Sequence, residues 1–439
     1  MLQGQDYLTA WPIINFDAKP ISKLRQTAHW EKIMSEPTGA LAGVKVVTCS
    51  TAQAGTVPYM LMADLGAEVI KIEAPGRGDP SRQAGERFGD NKEISSFFET
   101  NNRGVKSLTL NLKSDDGRAI LHKLIASADV FGQNFRPGAA ERNGFGYEQL
   151  KQINPKLVYA SVSGYGQSGP DAHLPGTDAV GQALAGVAEV YAIPGQPMRT
   201  GSASVADESC AMLTFGGLLA ALLYAQRTGI GQKVETSLVG SAFRLMGWTM
   251  TTAMWREKDP IAGARINGTR ERPGLAACFN DSNGKPVVFQ LDGEEWPDAM
   301  SALGFVEGLK AKGAYDLGLA LVDEDKKNII LQTLGELFAT GPRERWIEIL
   351  RNADIVSAPV NTLLEASIDP NIVENGYVTE VAYPEIDRNL KVHGTPWRFS
   401  ETPARIGRAP ALSEHTKAIL TDLGYSDAEI TDFAARKIV

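Results

Sequence analysis

From residue 41 to residue 162 the chain alternates short β-rich runs with helical ones, and this alternation constrains the fold more than any other property of the sequence. Residues 44–48 are β-rich, residues 59–65 carry a helical pattern ended by Gly66, and residues 68–72 are β-branched again, which makes a βαβ unit. The pattern returns with a strand at 107–110, a helix at 117–126 closing before Asp129, and a short strand at 130–131 leading into QNFRPG. A further strand follows at 157–162. Strands that alternate with helices predict an α/β fold: a Rossmann-like parallel sheet covered on both faces, with ligands gathered at the strand ends.

The second half reads differently. REKDPIAGARINGTRERPG, from Arg256, is polar and turn-rich and suits a linker between lobes. CFNDSNGKPVVFQL gives a hairpin signal, and amphipathic helices at 326–337 and 343–350 predict a smaller α+β domain. The tail is helical, with an N-cap at Ser413, Gly424 as a stop, and Ser426 with Glu429 as a capping box. A chain of 439 residues is too long for one core of ordinary size, in keeping with two lobes.

Composition bounds the function. No apolar run approaches the ~18 residues of a membrane span, so none is expected to cross a bilayer. The opening residues lack a basic start, an apolar core and a small-residue cleavage site, so a cytoplasmic location is expected. Cys49, Cys210 and Cys278 are far apart, which suits reduced thiols and neither a disulfide framework nor a zinc site, so no metal is expected. The net charge of −8 argues against nonspecific attraction to nucleic acid or anionic lipid. An anionic ligand then requires a local cluster of cations.

Asp207 stands just ahead of an apolar helix at 210–227, which carries Leu218, Leu219 and Leu222 and stops at Gly229, a residue suited to a left-handed cap. It has two readings: with Glu208 it complements the positive helix N-terminus, or it does chemistry. Gly164, Gly166 and Gly169 have the spacing of a dinucleotide fingerprint, but the chain then runs into a loop with Pro170 and Pro175 instead of opening a helix. Glu73 resembles a ribose-binding acid, yet the first strand is followed by STAQAG and not by a glycine triplet. Nicotinamide and flavin are therefore not expected.

LAGVKVV, QAG, MADLGAEVIKIEAPGRGDPSR, NNRGVKSLTLNLKSDDGR, NFRPG, GYGQSGP, PGTDAVGQALAG and TGIGQKVETSL, in this order, resemble the class III CoA-transferase family, whose members include formyl-CoA transferase and carnitine CoA-transferase. The resemblance spans residues 41–439. It implies an N-terminal extension at 1–40, a large CoA-binding domain at 41–240, linkers and a small domain at 241–394, and a return to the large domain at 395–439. It also implies an interlocked homodimer acting on acyl-CoA and carboxylate substrates. The reaction implied is ping-pong exchange of coenzyme A between carboxylic acids, through mixed anhydrides and an aspartyl-CoA thioester. The family's nucleophile falls on Asp207, and the nearby helix N-terminus is a candidate source of N–H donors for the oxyanion. Gln53 matches the family's active-site glutamine. Asp178 falls on a catalytic acid position, and its ordinary role is to cap the helix that begins at Ala179. For the nucleotide, the resemblance points to Arg142 and Lys113 on phosphates, with Asn134, Phe135 and Leu110 as lining; Arg103 and Arg136 are further cations.

Two departures stand out: Ala74 replaces an arginine that packs on the adenine in formyl-CoA transferase, and residues 263–274 do not form a glycine-rich loop. An α-methylacyl-CoA racemase would use an acid and a histidine at the α-carbon, and its histidine is replaced here by Thr177. A CoA-binding partner subunit would have no need of Asp207. The stretch FRLMGWTMTTAMW, at 243–255, reads either as a buried core stripe, the commoner case, or as the lining of an acyl pocket.

Overall fold

The computed structural model describes residues 39–90, 94–193, 195–201, 203–260 and 265–439. Nearly all of the N-terminal extension, and Gly263 and Ala264 of the 263–274 segment, lie outside the described residues. Six strands form the principal sheet: β1 (Lys45–Thr48), β2 (Glu68–Glu73), β3 (Lys106–Thr109), β4 (Val130–Gln133), β5 (Val158–Ser163) and β6 (Lys233–Ser237). Their order is β3-β2-β1-β4-β5-β6 and every neighbouring pair is parallel. This is the doubly wound Rossmann-like sheet that the alternation predicts. The order reverses between β1 and β4, and open α/β sheets form their ligand crevice outside the strand ends at such a reversal.

Successive residues of a strand face opposite sides of the sheet, which gives two cores. Val46, Val130 and Val158 pack on helix α1 (Val57–Asp64) and on a long helix, α4 (Val205–Thr228). Their neighbours Val47, Phe131 and Tyr159 pack on α2 (Asp115–Ile125) and on the C-terminal helices, through Ile419, Leu420 and Phe433. Gly132 on β4 is needed here, because a Cβ would stand 1.8 Å from the Tyr59 hydroxyl of α1.

Helix α4 corrects one expectation, since it is long and apolar enough by length and composition to cross a membrane. Its apolar character is used to pack on the sheet: Cys210, Thr214, Leu218 and Leu222 recur on its buried face, and it ends at Gly229 in the left-handed conformation. A second correction concerns the methionine- and tryptophan-rich stretch. Helix Gly247–Arg256 contains no buried residue, and Trp248 and Trp255 are 80% and 84% exposed. It is an uncovered apolar surface in the single chain and not a core stripe.

Beyond it lies a four-stranded antiparallel sheet, β7 (Ile266–Gly268), β8 (Pro273–Asn280), β9 (Pro286–Asp292) and β10 (Val356–Pro359), ordered β10-β9-β8-β7. Phe289, Phe338 and Trp346 fill its core against helices Glu324–Phe338 and Arg343–Asn352. Part of the segment read as a linker is thus strand β7. In the tail, Ser426 and Glu429 form the expected capping box. Ser413 is not an N-cap: the helix begins at Thr416, and Ser413 sits at φ +60° with its N–H on the Ser107 hydroxyl at 3.1 Å.

Candidate active site

The loop that leaves β1 is held from three sides. Buried Lys71 on β2 donates to the Ser50 carbonyl and to Asp79, both at 2.7 Å. Asp79 in turn accepts from the Ala52 N–H at 3.5 Å. Asn134, just past β4, clamps the Thr51 backbone from the other side, accepting its N–H at 3.0 Å and donating to its carbonyl at 2.8 Å. Gly55 fits beneath it because a Cβ there would lie 2.6 Å from the Asn134 amide nitrogen. Ala52 takes φ +60°, a conformation a residue with a Cβ seldom adopts, and the next residue is Gln53. Gln53 is 8% exposed and its amide nitrogen donates to Glu208 Oε1. Residues of the IKIEAPGRGDPSR and NFRPG motifs therefore set the position of the glutamine.

The head of α4 meets a short helix, α3 (Asp178–Leu184). Gly181 permits the approach, since a Cβ there would lie 2.7 Å from that of Ala206. Asp178 is the first residue of α3, and it caps α4 and not its own helix: Oδ1 accepts from the N–H groups of Ala206, at 2.8 Å, and Asp207, at 3.1 Å. Its other oxygen accepts from Gln182 at 2.6 Å. This revises two expectations, the capping of the helix that follows Asp178 and the supply of oxyanion donors by the head of α4. Two of those donors are engaged by Asp178, and the Glu208 N–H goes to the Ser204 carbonyl.

Asp207 thus stands beside two other carboxylates, and no hydrogen bond to its own carboxylate is present among the described residues. Burial first, then the charges of Asp178 and Glu208, raise its pKa from 3.8 to about 6. It opens on a cavity of ≈ 350 Å³ shared with Asp178, Ala54 and Arg136 and walled on one side by the Gly164–Thr177 loop, which folds back so that Gly164 touches Gly176. No histidine lines this cavity.

A larger cleft of ≈ 810 Å³ lies at the ends of β1, β2 and β3. Phe135 lines both spaces, so the cleft and the Asp207 cavity adjoin at this residue. Leu110, Lys113 and Ala74 line the larger cleft. Asn134 and Arg136 border the smaller one, the former with its amide committed to Thr51. Arg142 lines neither, although Asn143 after it borders the larger cleft. Arg103 is removed from both: it is 3% exposed and bound to Asp64, at 2.6 Å, and to the His393 carbonyl. Glu73 is likewise engaged by Arg82 and Ser107, each at 2.7 Å, which leaves no free carboxylate for a ribose.

Sequence reasoning passed over Glu208 as a partner of Gln53, and Lys71 with Asp79 as the brace of the loop. A lysine inside the β-branched run EVIKIE was the available signal, because a lysine is seldom fully buried without a partner.

Comparison with known proteins agrees with this architecture. The formyl-CoA:oxalate CoA-transferases of Shigella sonnei and Escherichia coli O139:H28 are each 30% identical over 419 residues, which covers 90% of this chain and 98% of theirs. A crystal structure of a CAIB/BAIF family protein from Brucella suis superposes with a TM-score of 0.77 at 26% identity, over 88% of this chain and 100% of that one. A Mycobacterium tuberculosis protein in an orthorhombic crystal form gives 0.74 at 24% identity, with the same coverage, and shows the fold alone. The model of CoA-transferase family III matches residues 41–416, and the chain belongs to that family.

Proposed function

We propose that this protein transfers coenzyme A from an acyl-CoA donor to a carboxylic acid, with Asp207 as the nucleophile. The observation that carries the reading is a carboxylate that accepts no hydrogen bond among the described residues, raised in pKa, in a small cavity that shares Phe135 with a nucleotide-sized cleft. A carboxylate oxygen of Asp207 attacks the thioester carbonyl, and the tetrahedral oxyanion collapses with loss of CoA thiolate to give a mixed anhydride. The thiolate then attacks the Asp207 carbonyl carbon, releases the first acid, and leaves an aspartyl-CoA thioester. The second acid reverses both steps. Ionised Asp207 is required at the start, and its raised pKa makes it a better nucleophile while leaving it mostly charged at pH 7.

With the head of α4 engaged by Asp178 and the Gln53 amide by Glu208, oxyanion stabilisation falls to the backbone of the Ala52–Ala54 turn, whose alanines line the cavity. The Gly164–Thr177 loop takes the place of a glycine-rich cover in keeping water from the anhydride. The uncovered Trp248 and Trp255 helix, together with Leu213 and Leu223 on the outer face of α4, supports a homodimer. On this reading the substrates are an acyl-CoA and a carboxylate, and the protein is a cytoplasmic enzyme of the EC 2.8.3 type.

The absence of a histidine from the cavity disfavours the racemase reading. The test is incubation with paired CoA thioesters and free acids, followed by mass spectrometry of the CoA pool. A new acyl-CoA without ATP is the expected result. No exchange, with deuterium entering the α-carbon in heavy water, would replace transfer with racemisation.

A further inference from the structure

Five charged side chains line the larger cleft, Lys71, Glu73, Asp79, Lys113 and Lys437, and three of them are already paired. Lys71 holds Asp79 and Arg82 holds Glu73. The two lysines that remain come from distant parts of the sequence: Lys113, after β3, and Lys437, in the C-terminal tail. Arg436 beside the latter is engaged by Asp116 and Asp432, whereas Lys437 joins no ion pair among the described residues.

One residue positions both lysines. The Asn111 N–H donates to the Ile438 carbonyl at 2.7 Å, and the Asn111 side chain accepts the Lys113 N–H at 3.1 Å. Ile438 is itself buried in the core below the sheet. Lys437 follows the end of helix Asp427–Ala435, its N–H on the Ala434 carbonyl, and adopts φ +58°, a backbone that glycine would take at less cost than a lysine. An anchored cation at the rim of an apolar cleft has the chemistry of an anion contact.

We infer that Lys437 is a phosphate-binding residue of this cleft, acting with Lys113 on a phosphate of the acyl-CoA nucleotide; this rests on the CoA reading above. Two lysines whose backbones are tied to a common asparagine, both lining the cleft, suit the 3′-phosphate or the pyrophosphate, and the adenosine occupies the apolar wall of Leu110 and Phe145. The contact adds affinity and leaves the chemistry at Asp207 untouched.

The test is calorimetric titration of the full chain and its Lys437→Ala, Lys437→Gly and Lys437→Arg variants with CoA and with 3′-dephospho-CoA. The alanine and glycine variants are each expected to bind CoA about tenfold more weakly, as for loss of a charge-assisted hydrogen bond, and arginine to restore most of it. The glycine variant is expected to melt no lower than wild type, which separates affinity from stability. A loss confined to CoA assigns the contact to the 3′-phosphate; an equal loss with both ligands assigns it to the pyrophosphate. Wild-type CoA affinity in the alanine variant overturns the inference and spares the CoA reading. Failure of the wild-type protein to bind either ligand overturns both.

Discussion

The two spaces that meet at Phe135 are built on opposite electrostatic plans. In the larger cleft each acid has a cation at 2.7 Å, Lys71 for Asp79 and Arg82 for Glu73, and two lysines, Lys113 and Lys437, are left in no ion pair among the described residues. Asp207 is flanked by two carboxylates, Asp178 and Glu208, which are met by the amides of Gln53, Gln182 and the α4 backbone and, among the described residues, by no paired cation. The first plan holds a ligand in place. The second keeps one carboxylate poorly solvated and raised in pKa, as the proposed nucleophile requires, at a cost in stability that the capping of α4 partly offsets.

The largest effect that sharpens this contrast is chemical. Asp207→Ala is expected to lower CoA transfer by about 1,000-fold or more while CoA affinity stays within about twofold, since the nucleophile belongs to one space and the nucleotide to the other. Kinetics and calorimetry on the same preparation check it. Arg103→Met gives the reverse outcome: it leaves buried Asp64 without its guanidinium, and a loss of about 3–5 kcal/mol in urea unfolding is expected, with no selective loss of CoA affinity in the folded fraction. A selective loss would return Arg103 to the phosphate site that the sequence suggested for it. Lys113→Ala is expected to raise the KM for acyl-CoA about tenfold with kcat unchanged.

The smallest effects concern pH. The rate should fall as pH drops through about 6, where Asp207 takes up its proton. Glu208→Gln removes one of the neighbouring charges that raise that pKa, so the acid limb should move to lower pH. Stability runs the other way. The folded state binds the Asp207 proton more tightly than the unfolded state, so ionisation between 3.8 and about 6 destabilises the fold. Asp207→Asn is therefore expected to melt higher than wild type at pH 7.5, by a margin that closes below pH 4. Thermal melts at both pH values check the sign.

How far the sequence reveals each region follows from how each is assembled. The sheet was legible because apolar strands and their helices lie next to one another in the chain, and β1, β2 and β4 start within one residue of where the pattern puts them. Strand β6, KVETS, escaped notice: it is an edge strand of polar and charged residues without apolar alternation. The place of Asp207 at the head of a long apolar helix was legible from the apolar run that follows it. The engagement of Asp178 was not, because Asp178 caps a helix that begins 27 residues later and reaches it only across the gap that Gly181 leaves. The Gln53–Glu208 contact spans 155 residues, and no local pattern encodes it. Arg103 misled for a general reason: an arginine in a binding motif and one that neutralises a buried acid look alike until burial is known.

Intact-protein mass spectrometry after incubation with a panel of acyl-CoA donors and hydroxylamine tests the central claim most directly. Hydroxylamine attacks the activated Asp207 carbonyl and releases CoA or the acid, so a donor-dependent hydroxamate should form on wild type, map to Asp207, and be absent from Asp207→Ala. No adduct with any donor, together with α-proton exchange in heavy water, would contradict it.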